Sequence, residues 1–310
     1  MRPPRPRNPA VPGNSRDRTG SAGILRRAAA EIRRRFEGLT ADALAIFDRI
    51  RIVATNDAAA DLVRTIYAMT PDEMAATSQA LQEAADRWIA SGRETAGLFW
   101  YSPVVAEAAQ LGTAQSVANL NNLSPAYALL RNLQTVVFSE AYRTRVGIAQ
   151  VKSYDHWTGL SQQQKAELSQ IIGRAVVDGK NPKAVRTEIR ERLEVSRSKA
   201  AQYAQTDITD TLRQARWAEQ DHAIEQMGLN LGMLWTSALL PTTRQTHAER
   251  HGKVYTSRQC REFYGRDGNR YACHCSQTEC LLDDEGKPIL TPTLKAAMAK
   301  ELKGWGRGRA

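Results

Sequence analysis

The sequence predicts a predominantly α-helical α+β protein, in which a helical N-terminal region precedes a small α+β domain and both termini are flexible and basic. Apolar residues recur with helical spacing from Ile24 to Gly228, and capped starts and glycine stops divide this stretch. A short segment of alternating apolar residues then follows. The 310 residues, of which 42% are hydrophobic and 25% charged, are sufficient for a buried core.

Four segments are predicted. Residues 1–22 are rich in Pro and Arg, and we expect a disordered arm because little apolar surface is available to offset the entropy of ordering. Residues 23–155 are predicted to form a helical region, residues 156–286 a small α+β domain and residues 287–310 a basic tail. No apolar stretch reaches the roughly 20 residues that a membrane-spanning helix needs, and no export signal is recognisable.

The N-terminal region carries three helix signals. Apolar spacing predicts helices over residues 24–36 and 41–54. A third helix is predicted to begin at Thr70-Pro71, since Thr is a favoured N-cap and Pro is favoured in the first turn, and to end at Ser91-Gly92.

Three further helices and a strand are predicted before the polar C-terminal part. Ser161 and Ser196 are expected to be N-caps, and Gly179 and Gly228 are expected to end helices. Residues 229–236 alternate between apolar and polar types, which predicts a strand with one packed face.

The net charge of +10 is concentrated at the two ends of the chain. Residues 1–35 hold ten arginines against two acids, residues 295–310 carry a net charge of +4, and the remainder is nearly neutral. Basic segments of this kind favour a polyanion such as nucleic acid, because bound phosphates release counterions. The alternative is that they are solvated tails that only aid solubility. The candidate DNA-binding residues are Arg2, Arg5, Arg7, Arg16, Arg18, Arg33, Arg34 and Arg35.

All four cysteines lie within 21 consecutive residues, which indicates a local metal or redox site rather than a disulfide scaffold. Thiolates and imidazoles are the ligands that zinc prefers, and a closed structural site needs four of them. Side chains alternate along an extended segment, so Cys273 and Cys275 share a face while His274 points away. Cys280 joins them if a turn forms at residues 276–278. The alternative is a set of reduced, packed thiols. Seven residues are candidate ligands: His247, His251, Cys260, Cys273, His274, Cys275 and Cys280.

One catalytic motif is partly present. His247-Ala248-Glu249 matches the H-x-E half of the zinc deaminase signature, but Cys273 and Cys275 lack the preceding Pro and one intervening residue. The zinc protease, P-loop, nucleophile-elbow and dinucleotide signatures are absent from the sequence. We therefore expect a protein that is not an enzyme. The alternatives are a zinc-dependent nucleic-acid hydrolase or deaminase, and a non-specific DNA-binding accessory protein.

A series of short motifs between residues 155 and 280 resembles the phage head morphogenesis family, the minor head proteins similar to protein F of phage Mu. Gln205-Thr206-Asp207 stands where the family has Arg-Thr-Glu, and His274 stands where it has an Arg between two cysteines. The other motifs that carry the resemblance are the Gly-ended helix at residues 171–182, Arg213-Gln214-Ala215-Arg216-Trp217, Trp235-Thr236, Thr243-Arg244-Gln245-Thr246-His247, His251-Gly252-Lys253-Val254 and Cys273-His274-Cys275.

The resemblance implies a minor head (capsid) protein of a tailed bacteriophage. Such a protein acts in prohead assembly and in DNA packaging or delivery near the portal. The implied partners are the portal protein, the major capsid or scaffold protein and viral DNA, with no membrane. The implied location is the interior of the virion head, and the host cytoplasm during assembly. His247 matches the family's histidine, with His251 as the alternative. The predicted structural zinc ligands are therefore His247, Cys273, Cys275 and Cys280.

Overall fold

The computed structural model describes residues 7–56, 64–91 and 99–308, and it confirms a predominantly helical α+β fold. Two compact units are each assembled from separate segments of the chain. One change of unit, between Gln150 and Val151, lies close to the predicted boundary at residue 155, but the chain changes unit again at Gln205. The first unit comprises residues 1–26, 103–150 and 205–310, and the second comprises residues 27–102 and 151–204.

The first helix and the hairpin that follows it differ from the prediction. One continuous helix, α1 (Ala22–Asp48), is followed by two antiparallel strands, β1 (Arg51–Asn56) and β2 (Arg64–Ala68). The helix predicted to continue to residue 54 is wrong at its end. The β-branched Ile52 and Val53 lie in β1, where branched side chains fit the backbone better than in a helix.

Helix α2 (Pro71–Ala85) begins as predicted. Thr70 and Glu73 form a reciprocal capping box, in which each side chain accepts a hydrogen bond from the other residue's backbone N–H. A π-helical turn (Asp86–Ala90) continues this helix to the predicted end at Ser91. In the second unit an aromatic cluster forms the core around Trp100 and Trp157, whose ring centroids lie 4.6 Å apart.

Five helices lie in the sequence between the π-helical turn and the C-terminal sheet. Their bounds are α3 (Ser102–Leu123), α4 (Pro125–Leu130), α5 (Leu133–Val137), α6 (Glu140–Asp178) and α7 (Pro182–Met227). The predicted stops at Gly179 and Gly228 are confirmed, and both glycines have positive φ, at 65° and 64°.

The predicted helix starts at Ser161 and Ser196 are wrong, because both residues lie inside long helices. The Ser161 hydroxyl donates to Asp86 Oδ1 (3.0 Å) instead of capping a helix. The Ser196 hydroxyl donates to the carbonyl of Arg192 (3.1 Å), one turn earlier in α7. Serine hydroxyls therefore have partners within these helices that the local sequence does not reveal.

The C-terminal part contains a three-stranded antiparallel sheet in the order β4-β3-β5. Its strands are β3 (Leu231–Thr236), β4 (Val254–Tyr255) and β5 (Ser276–Leu281), with helices α8 (Gln245–Ala248) and α9 (Ser257–Tyr264) between them. The predicted strand at 229–236 is confirmed, but β3 is central and is buried on both faces.

The register of β3 against β5 defines two faces of this sheet. Met233 pairs with Glu279 and Trp235 with Gln277, and we name the side of these residues the cluster face. Gly232 pairs with Cys280 and Leu234 with Thr278, on the side that we name the apolar face. The apolar face packs against Leu290 and Met298. Because side chains alternate along a strand, neighbours in sequence belong to different faces.

The predicted flexible C-terminal tail is instead a helix, α10 (Pro292–Arg307), capped by Thr291. Leu294 and Met298 lie one turn apart and pack on the apolar face, and the Trp305 indole donates to the carbonyl of Leu240 (2.9 Å). The prediction of a flexible tail was based on the basic charge of these residues and did not take account of the apolar Leu294 and Met298. We find no helix in the described parts of the chain that is long and apolar enough to span a membrane.

The predicted disordered arm also needs correction for its described residues. Residues 7–21 lack regular secondary structure up to the start of α1, but they make fixed contacts. The backbone N–H of Ala10 donates to Asn119 Oδ1 (2.7 Å), and the Arg18 guanidinium, 3% exposed, donates to Glu301 (2.7 Å). Polar contacts to α3 and α10, which are distant in sequence, order this segment in place of local apolar packing.

Candidate functional site

His247 is held on the cluster face by helix α8 and by aromatic packing. Its side chain is 1% exposed, and its ring lies edge-on to Phe263 with centroids 4.9 Å apart. The turn that follows closes with a hydrogen bond from the Gly252 N–H to the carbonyl of Trp235 (2.9 Å), and Gly252 has a φ of 78°. This conformation favours glycine, and it returns the chain to β4.

Two thiols meet the imidazole. Nδ1 of His247 lies 3.4 Å from Sγ of Cys273 and 3.6 Å from Sγ of Cys275. The three atoms all lie within 4.8 Å of one another, and all three residues are buried. The predicted pairing of Cys273 and Cys275 on one side of an extended segment is therefore confirmed.

The orientation of the imidazole is fixed from its far side. Nε2 of His247 lies 3.3 Å from Oδ1 of Asn269, while the amide of Asn269 donates to the carbonyl of Phe263 (3.1 Å). Because that amide N–H₂ faces a carbonyl, its oxygen faces Nε2 and accepts the Nε2 proton. Nδ1 is then directed at the two sulfurs, where it can donate a proton to a thiolate or offer a lone pair to a metal ion.

A buried cation lies next to this group. The Arg213 guanidinium is completely buried and sits 4.2 Å from the centroid of the Tyr264 ring. Its three nitrogens have no hydrogen-bond partner among the described residues, and an Asp210 carboxylate oxygen lies 3.8 Å away. A buried cation without hydrogen bonds is costly, so this position favours negative charge on the neighbouring sulfurs.

The two thiols have opposite pKa shifts. Burial raises the pKa of Cys273, but hydrogen bonds with Cys275 and His247 and the charge of Arg213 outweigh burial and hold it well below its ordinary value. The hydrogen bond with Cys273, together with burial, raises the pKa of Cys275 well above its ordinary value. The pair therefore loses its first proton much more readily than its second.

A cavity of about 310 Å³ opens onto the cluster. Leu240, Thr243, Arg244 and His274 line it together with His247 and the two cysteines. The Arg244 guanidinium donates to the backbone carbonyls of Asn269 (2.7 Å) and Tyr271 (3.1 Å), which fixes the loop that precedes Cys273. The sulfurs are buried from bulk solvent, but this cavity adjoins them.

Comparison with known protein families gives a match to part of the chain. Residues 166–278 match the family model of the phage Mu protein F like protein. We call this similar segment the Mu F-like domain. No curated protein and no solved structure matches the chain. The chain is therefore similar, over about a third of its length, to a phage head-related family, in agreement with the resemblance of its sequence motifs.

Cys280 lies just beyond the matched residues of the Mu F-like domain and does not join the cluster. The turn predicted at residues 276–278 is absent, because these residues belong to strand β5. Cys280 lies five positions after Cys275, and an odd spacing along an extended chain places side chains on opposite faces. Cys280 therefore packs with Leu234, Leu290 and Met298 on the apolar face, and its prediction as a zinc ligand is wrong.

Three other candidate ligands in the Mu F-like domain lie outside the cluster. His251, the alternative to His247, accepts a hydrogen bond at Nδ1 from the Ser237 N–H (3.0 Å), and its Nε2 lies 3.1 Å from a Glu301 oxygen. Cys260 packs among the aromatic residues of the cluster face. His274 lines the cavity with Nδ1 3.5 Å from Gln205 Nε2, and its predicted orientation away from the thiols is consistent with its absence from the cluster.

The deaminase alternative finds no support at this site. The Glu249 side chain is exposed and accepts a hydrogen bond from Gln245 (2.9 Å), one turn earlier, so it does not face the buried imidazole and thiols. The residues that sequence reasoning missed are Asn269 and Arg213. Neither stands in a motif with a known ligand role, and only the folded arrangement brings them to the cluster.

The candidate DNA-binding arginines differ in accessibility. Arg2 and Arg5 lie outside the described residues. Arg18 is buried against Glu301, and Arg35 is buried against Glu31 (2.9 Å) with its guanidinium 4.2 Å from the Trp100 ring centroid, so both assignments are corrected. The remaining four side chains are exposed: Arg7, Arg16, Arg33 and Arg34.

Proposed function

We propose that this protein is a minor head protein of a tailed bacteriophage that acts in head morphogenesis, docked on the portal or the assembling shell. The observation that carries the proposal is the Mu F-like domain over residues 166–278. The proposed role is structural. The H-x-E glutamate, Glu249, lies on the surface away from the His and Cys cluster. This position supports a structural role over that of a zinc-dependent hydrolase or deaminase.

An exposed apolar surface in the first unit supports docking on another protein. Leu129 is 86% exposed, Leu130 75% and Phe138 70%, and these residues lie on or next to the short helices α4 and α5. Exposed apolar side chains that are close in sequence are unusual on a monomer and mark protein interaction surfaces. We propose that a protein subunit of the phage head covers them.

Incorporation into heads tests this proposal. We expect mass spectrometry of purified heads of the encoding phage to detect the chain, and a Leu129→Glu, Leu130→Glu, Phe138→Glu variant to be depleted at least tenfold. The matched control is Val195→Glu, at a residue of α7 that is 59% exposed, and it should be incorporated normally. Absence of the unmodified chain from heads would refute the proposed function. Normal incorporation of the triple variant would refute only the docking surface.

We also propose that exposed basic residues contact packaged DNA without reading its sequence. Arg7 and Arg16 are exposed, and α10 presents Lys295, Lys300 and Lys303 to solvent. Each phosphate contact adds about 0.9 to the slope of log affinity against log salt concentration. This proposal includes Arg2 and Arg5 of the same N-terminal segment.

A salt titration of binding to two unrelated DNA duplexes tests the DNA contacts. We expect changing Arg2, Arg5, Arg7 and Arg16 to Gln to weaken binding equally for both duplexes and to reduce the slope by about 2 to 4. The control changes four exposed basic residues elsewhere to Gln, which removes the same charge: Arg174, Lys183, Arg190 and Arg258. Equal effects of the two variants would mean that the N-terminal arm contributes to DNA binding only through the net charge of the protein.

A further inference from the structure

We propose that His247, Cys273 and Cys275 bind one zinc ion through three protein ligands, with the fourth coordination position open toward the adjoining cavity. The inference is independent of the proposed head function. It also differs from the four-ligand structural site that the sequence predicts, because Cys280 lies on the opposite face of the sheet.

The spacing of the donor atoms fits a single ion. Zinc bonds of about 2.3 Å to sulfur and 2.05 Å to nitrogen, at a tetrahedral angle, separate the two donor atoms by about 3.6 Å. The separations of Nδ1 of His247 from the two sulfurs are 3.4 and 3.6 Å. An ion can therefore be bound with little movement of the side chains.

The chemistry of the surroundings also favours a metal. Asn269 accepts the Nε2 proton and directs the Nδ1 lone pair toward the sulfurs, which is the role that a hydrogen-bond acceptor plays behind a metal-binding histidine. Arg213, buried without a hydrogen-bond partner among the described residues, stabilises thiolates over thiols. Two thiolates and one imidazole form a soft donor set that selects zinc over magnesium or calcium.

Among the described residues, no side chain that is a strong zinc ligand lies at the fourth position. His251 is engaged by Ser237 and Glu301, and the Ser237 hydroxyl, 3.2 Å from Sγ of Cys275, is already bonded to the carbonyl of His247 (3.0 Å). The cavity of about 310 Å³ adjoins the two sulfurs and has room for water or a small anion. With three protein ligands and an accessible fourth position, the ion can bind and exchange a water molecule or a small anion.

Metal binding by the purified full-length chain tests the proposal. We expect one equivalent of zinc by elemental analysis, and after replacement by cobalt an absorption band from thiolate-to-cobalt charge transfer. Cys273→Ser, Cys275→Ser and His247→Ala should each lower zinc affinity at least a hundredfold. The matched controls Cys260→Ser and Cys280→Ser change equally buried thiols and should retain the ion.

Two further measurements make the test decisive. Asn269→Ala, which keeps all three ligands, should lower zinc affinity 10- to 100-fold, as loss of a hydrogen bond behind a ligand does. Azide added to the cobalt form should shift its visible spectrum if the fourth position is open. Less than a tenth of an equivalent of zinc in the unmodified folded chain would overturn the site, and so would loss of metal in Cys280→Ser with circular dichroism unchanged. An azide-insensitive spectrum would overturn the open position.

Discussion

The two faces of the three-stranded sheet bury similar strand residues but have different chemistry. The cluster face combines Trp235 and aromatic neighbours with an imidazole, two interacting thiols and the buried carboxylate of Glu279. The apolar face sets Leu234 and Cys280 against aliphatic side chains from α10. Burial alone therefore does not define a site. Cys280 is as buried as Cys275, but it has no imidazole or second thiol beside it.

The largest loss of stability is expected on the cluster face, when Glu279 is replaced by alanine. This fully buried carboxylate accepts hydrogen bonds from Ser116 (2.7 Å), Asn119 (2.8 Å) and Arg216 (3.1 Å). Glu279→Ala leaves the Arg216 charge buried and unpaired, so we expect the free energy of unfolding to fall by about 3–5 kcal/mol in urea titrations. Removing Arg216 as well should cost much less than the sum of the two single changes. A loss below about 1 kcal/mol for Glu279→Ala would mean that this face tolerates an unpaired charge.

A smaller loss of stability is expected on the apolar face, when Gly232 is replaced by alanine. A Cβ atom there would lie 2.3 Å from Cγ1 of Val254, a stiff branched side chain on the neighbouring strand. We expect Gly232→Ala to lower the free energy of unfolding by about 1–3 kcal/mol, the usual cost of overpacking. The control is Gly147→Ala in α6, where, apart from the adjacent helix backbone, no atom of the described residues lies within 4 Å of the new Cβ. That change should raise stability by about 0.5–1 kcal/mol, because alanine suits a helix better than glycine. If both substitutions prove neutral, the apolar face is less tightly packed than described.

The smallest effect concerns Cys280 at alkaline pH. Burial and the charge of Glu279 raise the pKa of Cys280 from about 9 to about 12. The folded chain thus holds this proton more tightly, so the unfolded chain loses it first and stability falls as the pH rises above about 9. The fall is about 1.4 kcal/mol per pH unit for one such thiol.

Unfolding free energies measured from pH 8 to 10.5 test this prediction. We expect Cys280→Ala to make the alkaline decline shallower by about that amount, while other titrating groups contribute equally to both proteins. An identical slope for the two proteins would show that Cys280 ionises as readily in the folded chain as in the unfolded one.

Local signals in the sequence predicted much of this architecture. The helix start at Thr70, the stops at Gly179 and Gly228 and the alternation in β3 each depend on neighbouring residues, and all four features are confirmed. Ser161 has the same local signal as a true cap, but its hydroxyl bonds to Asp86, 75 residues away. A local pattern cannot distinguish these two environments.

The candidate site was predictable only where it depends on local spacing. The shared side of Cys273 and Cys275 follows from their spacing alone. The position of Cys280 depends on whether residues 276–278 turn or extend, and pairing with β3 decides this. Asn269 and Arg213 reach the cluster only through tertiary packing. The order of residues 7–21 and of α10 likewise depends on contacts such as that between Arg18 and Glu301, which join residues 283 positions apart.

The odd spacing between Cys275 and Cys280 also constrains how this strand can change its length. One residue inserted between Cys275 and Glu279 would turn Cys280 to the cluster face, but a strand rises about 3.3 Å per residue, so Cys280 would still lie too far along β5 to reach the ion. The same insertion would move Glu279 to the opposite side and leave Arg216 without its carboxylate. A single insertion or deletion between Cys275 and Glu279 thus loses an ion pair without gaining a metal ligand, and only a paired change in strand length and in the position of the acid avoids that loss. We therefore expect length variants of this strand to differ by two residues rather than by one.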